Sequence, residues 1–80
     1  PRVLDSPDQN LQRNELRDKI TTAINSLSED HREVILLKEV EGLSYQEIAE
    51  SIGSSIGTVM SRLYYARKKL QETLKDNNYD

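Results

Sequence analysis

The sequence predicts an all-α domain of four helices that ends in a helix-turn-helix, on three observations. Apolar residues recur at steps of three and four through most of the chain, as one face of a helix requires. Two of the helices join across a very short turn, SYQEIAESIG-SS-IGTVMSRLYYARKKL, the arrangement that lays a recognition helix in the DNA major groove. The composition is 31% charged and 35% apolar with no Cys, Phe or Trp, so a small domain has to hold itself together by helix packing alone.

Pro1 to Pro7 (PRVLDSP) has no periodicity and reads as a linker; Pro in place of Met at the first position suggests a processed or excised piece. A first helix is expected from Asp8, with Leu16, Ile20, Ala23, Ile24 and Leu27 as its apolar stripe and an end near Leu27. Ser28 then suits an N-cap, with Glu29 and Asp30 in the first turn, where negative charge complements the helix dipole. Val34, Ile35, Leu37 and Val40 form a broad apolar face on this second helix, and Gly42 ends it. Leu36 widens the face: a fully used core helix accounts for it, and a partner surface is the functional alternative.

The third helix opens with a capping box, in which Ser44 accepts from the backbone three residues on while Glu47 reaches back to the N–H of Ser44. Ile48, Ala49 and Ile52 form its apolar edge. Gly53 follows as a left-handed cap that turns the chain. Ser54 or Ser55 can cap the fourth helix, whose Ile56, Val59, Leu63, Ala66, Leu70 and Leu74 fall on one buried stripe. That stripe sends Thr58, Ser61, Tyr65, Lys68 and Lys69 to the far side, with Gly57, Arg62 and Tyr64 on its flanks. The domain is expected over residues 8–75, with a linker at 1–7 and a polar, frayed tail at 76–80.

Several function classes drop out. His31 is the only His and lies in the first turn of a helix, where a structural or exposed role accounts for it. Without Cys, a catalytic dyad or soft-metal site would have to be built from carboxylates, Lys and hydroxyls, and Glu29 with Asp30, or Glu39 with Glu41, read better as solvated charge. No enzyme, cofactor or metal is expected. No apolar run approaches the roughly 20 residues of a membrane span, and no signal peptide is visible, so no membrane insertion and a reducing, cytoplasmic setting are the default.

The formal net charge of −3 runs against a nucleic-acid partner, but its distribution does not. From Ser54 to Lys75 five Lys or Arg stand against Glu72 alone, whereas up to Gly53 six stand against eleven Asp or Glu. Positive charge is concentrated on the proposed recognition helix, where phosphate contact needs it.

The run from Leu27 to Leu70, with GLSYQEIAE followed by GTVxSRLxxARKKL, resembles region 4 of bacterial RNA polymerase sigma factors, in the extracytoplasmic-function (ECF) branch of the sigma-70 family. The LuxR-type regulators share the first half, but their second helix has a TVKxH pattern that this chain lacks. The resemblance implies a four-helix domain of the winged-helix-like DNA-binding superfamily, without a wing. It implies reading of the promoter minus-35 element, docking on the β flap of RNA polymerase core, and sequestration by an anti-sigma factor where one exists. The minus-10-binding sigma domain would lie outside this chain.

Carried over by position, base reading and nearby contacts fall on Gly57, Thr58, Met60, Ser61, Arg62, Tyr64 and Tyr65. Backbone contacts fall on Tyr45, Gln46, Ser55, Arg67 and Lys68. Three positions depart from the family pattern: Met60, usually Lys or Arg; Tyr65, often basic; and Ser55, often Pro. Ser55 reads as harmless in a first turn, where Pro only presets φ. Met60 suits a thymine methyl and Tyr65 a phosphate oxygen, and neither supplies the bidentate guanine readout of Arg. Met60, Tyr65 and the overall acidity favour an alternative, a sigma-like mimic that binds an anti-sigma factor rather than DNA, while the intact SRLxxARKKL run favours the leading expectation, a working DNA reader. An upstream minus-10-type domain in the full-length protein would support the sigma factor, and an attached phosphoacceptor receiver domain the mimic.

Overall fold

The computed structural model describes the backbone of residues 7–76 and the side chains of residues 14–75. Four α-helices follow in order: α1 (Pro7–Asn25), α2 (Glu29–Ile35), α3 (Tyr45–Ile52) and α4 (Ile56–Asp76), with a π-helical turn over Leu36–Val40 that prolongs α2. Among the described residues there is no strand. The all-α four-helix arrangement is therefore as the sequence predicts. The first helix opens at Pro7, one residue before the expected Asp8, which suits a residue whose missing N–H has no partner in a first turn. The expected linker and tail otherwise lie outside the described residues, except that Asp76 still belongs to α4.

Each boundary has a local cause. The first helix ends two residues short of Leu27, where Ser26 Oγ donates to the Ala23 carbonyl at 2.6 Å. The Arg32 guanidinium, one turn into α2, donates to the carbonyls of Asn25 and Leu27 at 3.3 and 3.4 Å, placing a cation on the negative end of α1. Ser28 caps α2 by accepting from the His31 N–H. The capping box of α3 is complete: Glu47 N–H donates to Ser44 Oγ at 3.1 Å and Ser44 N–H to Glu47 Oε1 at 2.8 Å. Gly53 ends the helix at φ +69°, in the left-handed region that a Cβ makes costly.

The core is a single cluster of Leu27, Val34, Ile35, Ile48, Ala49, Val59, Leu63 and Ala66, with Leu37, Leu43, Tyr45, Ile52 and Leu70 against it. It sits where α2 and α3 pack on α4. Ile48, Leu63, Val34 and Val59 are the largest side chains fully removed from water. Ala49 is buried beside them, and its small side chain lets α4 approach closely.

Three expectations about apolar faces need correction, the first being that Ile56, at the head of the stripe on α4, is 39% exposed and not buried. Val40 does not join the core but is 70% exposed. The cause is the π turn, whose Glu41 N–H bonds the Leu36 carbonyl five residues back; the extra residue per turn changes which side chains face inward. Leu37 still reaches the core, and Leu36 is exposed. The stripe expected of the first helix is covered at Ala23 and at Leu27 just beyond the end of α1, but open at Leu16 and Ile20, which are 58% and 40% exposed. No described helix is long and apolar enough to cross a membrane.

Candidate nucleic-acid interface

The 21 residues of α4 extend about 32 Å at about 1.5 Å per residue, so only part of the helix can lie in a groove. Val59, Leu63 and Ala66 tie one side of it to the core. At about 100° per residue that fixes the opposite side, where Gly57, Ser61, Tyr65 and Lys68 are all exposed. The helix begins at a defined point because Ser55, not Ser54, is its cap: Ser55 Oγ accepts from the Thr58 N–H at 3.1 Å and donates to Thr58 Oγ1 at 3.1 Å. Ser55 thus does more than occupy a first turn, and Thr58 is held half-buried by the same contact.

One flank of α4 faces the start of α3. Tyr45, Met60, Leu63, Tyr64, Arg67, Lys68 and Gln71 line an open groove of about 460 Å³ there. Met60 and Tyr64 are more than half exposed on it, and the Tyr64 and Tyr65 rings meet edge to face with centroids 5.0 Å apart. Tyr45 is half-buried, its ring 4.8 Å below the Lys38 ammonium, which also donates to the Leu43 carbonyl. Gln46 is exposed next to it and donates to Glu50 at 3.1 Å. The structure thus brings Tyr45, Met60, Tyr64, Arg67 and Lys68 to one groove, and leaves Gln46 and Ser55 outside its lining.

Both arginines of α4 meet carboxylates of α2 and the π turn that prolongs it. Arg62, half-buried on the other flank, pairs with Asp30 of α2 at 3.8 Å. Arg67 donates from Nη2 to Glu39 Oε2 of the π turn at 2.9 Å. The Glu39 hydrogen bond holds the Arg67 guanidinium above its ordinary pKa against a partial loss to burial, with Tyr45 contributing in the same direction. Among the described residues no carboxylate pairs with Lys68, Lys69 or Lys75.

Glu29, Asp30, Glu39 and Glu41 are all exposed, as the reading of solvated charge had it, and the structure adds that two of them, Asp30 and Glu39, stand against arginines of α4. Local sequence carried no signal for the pairing, since Glu39 and Arg67 are 28 residues apart.

A short capped helix, a left-handed glycine turn and a long helix with a polar, cationic outer side define a helix-turn-helix domain of the DNA-binding class. The family described as "Sigma-70, region 4" matches residues 17–70. Among curated proteins, the chain is 36% identical over 74 residues to the ECF RNA polymerase sigma-E factor of Haemophilus influenzae, covering 92% of this chain and 39% of that protein. It is 36% identical over 72 residues to the RNA polymerase sigma-H factor of Pseudomonas aeruginosa, covering 90% and 37%. To the ECF RNA polymerase sigma-E factor of Escherichia coli K12 it is 38% identical over 72 residues, covering 90% and 38%. The chain belongs to the sigma-70 region 4 family, in its ECF branch. It spans less than two fifths of the length of these relatives. Family membership makes its role one in transcription and not in catalysis.

Proposed function

We propose that this domain reads the minus-35 element of a promoter as part of an ECF sigma factor, and so directs RNA polymerase to its start sites in the bacterial cytoplasm. The observation that carries the reading is the outer side of α4, where Gly57, Ser61, Tyr65 and Lys68 stand exposed on a helix anchored from behind by Val59, Leu63 and Ala66. Gly57, Thr58, Met60, Ser61, Arg62, Tyr64 and Tyr65 are the residues we assign to base edges and their surroundings. Tyr45, Gln46, Ser55, Arg67 and Lys68 are assigned to the sugar-phosphate backbone. Small polar groups at the first turns let the helix approach the bases, and the cations further along suit phosphates.

The domain would act by placement, tethering polymerase to a duplex upstream of the start site. For the polymerase β flap, or an anti-sigma factor competing with it, we assign the exposed apolar residues Leu16, Ile20, Leu36 and Val40, none of which lies on α4.

The experiment is fluorescence anisotropy of the chain against a GGAAC-containing duplex and a randomised pool. If about four phosphates are neutralised, affinity falls roughly a hundredfold between about 50 and 200 mM salt. Selective binding with such a slope supports a promoter reader. Absence of selectivity even at low salt would sink it and favour the second reading, a sigma-like domain that presents this surface to an anti-sigma factor. The net charge of −3, with Met60 and Tyr65 exposed on α4, is the observation in favour of that second reading.

A further inference from the structure

We infer that Glu39 is a built-in competitor for DNA phosphate: its carboxylate occupies Arg67 in the free domain and withholds that cation from the backbone contact. The inference rests on the proposed reading of α4 as the DNA-contacting helix.

The geometry has three parts. First, the Arg67–Glu39 contact is a charge-assisted hydrogen bond at 2.9 Å, whereas the Arg62–Asp30 pair at 3.8 Å is an ion pair without one. Glu39 is therefore the stronger of the two internal counter-ions. Second, the pair is reachable: the Arg67 and Glu39 side chains are 43% and 55% exposed, so water and a phosphate oxygen have access to both. A pair so exposed adds little to the fold and is not needed to hold α4 in place. Third, Arg67 lines the groove with Tyr45, Met60, Tyr64 and Lys68, so the carboxylate that holds it stands beside the path assigned to the phosphate backbone.

The consequence follows from ion release. A cation that takes a phosphate displaces a counterion from the duplex, and affinity gains a salt-dependent increment. An arginine already matched by a carboxylate makes an exchange instead: the Glu39 contact is given up for a phosphate contact, and an unpaired carboxylate is left next to the DNA. The net increment from Arg67 is then close to zero. Lys68 and Lys69, with no carboxylate partner among the described residues, keep theirs. Glu39 stands where it does because the π turn carries it, and π turns recur at functional positions.

The test compares the 80-residue chain with Glu39→Gln, Glu41→Gln, Arg67→Gln and the Glu39→Gln/Arg67→Gln pair by anisotropy on one duplex across salt, with circular dichroism melts to verify folding. Glu39→Gln is expected to bind several-fold more tightly at about 50 mM salt and to steepen the log–log salt slope by about 0.9, the increment for one further phosphate. That gain shrinks about threefold by about 200 mM salt. Glu41→Gln, which removes an exposed acid of the same segment, is expected to give a smaller gain, and Glu39→Gln on the Arg67→Gln background no more than that smaller gain.

Equal gains from Glu39→Gln and Glu41→Gln, or a Glu39→Gln gain that persists in full without Arg67, would reduce the effect to net charge and overturn the inference. Weaker binding by Glu39→Gln would do the same, making Glu39 an aid to Arg67 rather than a rival to DNA. Parent binding with an unchanged Glu39→Gln overturns this inference alone, while no binding of any duplex by either chain overturns it together with the promoter-reading proposal.

Discussion

Ser55 and Thr58 are joined twice, by the Thr58 N–H donating to Ser55 Oγ and by Ser55 Oγ–H donating to Thr58 Oγ1, each at 3.1 Å. One hydroxyl therefore satisfies an orphan N–H at the start of α4 and holds the first polar side chain of its outer side. Ser55→Ala is expected to destabilise the domain by about 1 kcal/mol, the usual loss for an N-cap. Urea unfolding of the two chains measures it, and an unchanged midpoint would mean that the cap is dispensable.

Leu63 is almost wholly buried and joins α4 to the cluster built by α2 and α3. Removing its isobutyl group leaves a cavity in a core with no aromatic ring except that of the partly buried Tyr45. Leu63→Ala should lose about 2–5 kcal/mol, a large share of the roughly 4–12 kcal/mol expected of a domain this size. Thermal melts by circular dichroism would report it, and a loss under about 1 kcal/mol would place Leu63 outside the core.

Arg62 is assigned to base reading, and its contact with Asp30 at 3.8 Å is too long and too exposed to matter greatly for stability. Arg62→Ala is expected to weaken binding to the preferred duplex by about 1–3 kcal/mol and to relax preference at one base position. Competition with single-base variants of the duplex distinguishes this from a phosphate contact, because equal losses on every sequence would contradict base reading.

Lys68 is exposed on the outer side of α4 and has no carboxylate partner among the described residues. Lys68→Ala should weaken binding to all sequences alike and lower the salt slope by about 1. A loss confined to one sequence would move Lys68 to the base-reading set.

Met60, more than half exposed on the groove, offers no charge where the family pattern usually has one. Met60→Lys is expected to tighten binding and steepen the salt slope by about 0.9 if the new ammonium reaches a phosphate. Titrations at three salt concentrations would measure it, and an unchanged slope would mean that this flank of α4 faces away from the backbone.

Much of the fold was legible because its signals are local. The capping box of Ser44 and Glu47 lies within one turn, Gly53 needs only its own φ, and the stripe from Val59 to Ala66 repeats at the pitch of the helix it builds. The candidate site was legible in the same way, since a buried stripe on one side of α4 dictates an outward side. Ser54 and Ser55, by contrast, are chemically equal as caps, and only the path of the chain after Gly53 selects Ser55.

A four-helix, all-α domain with a helix-turn-helix and a cationic α4 could be read from the residues alone, because each of those features is written within a few turns of one helix. It took the packing of the helices to show that a π turn leaves Val40 in water, that Leu16 and Ile20 stay open, and that Asp30 and Glu39 stand against Arg62 and Arg67. Such outcomes depend on where distant helices come to rest against one another. A charge's partner 28 residues away is set by packing, which no local period encodes.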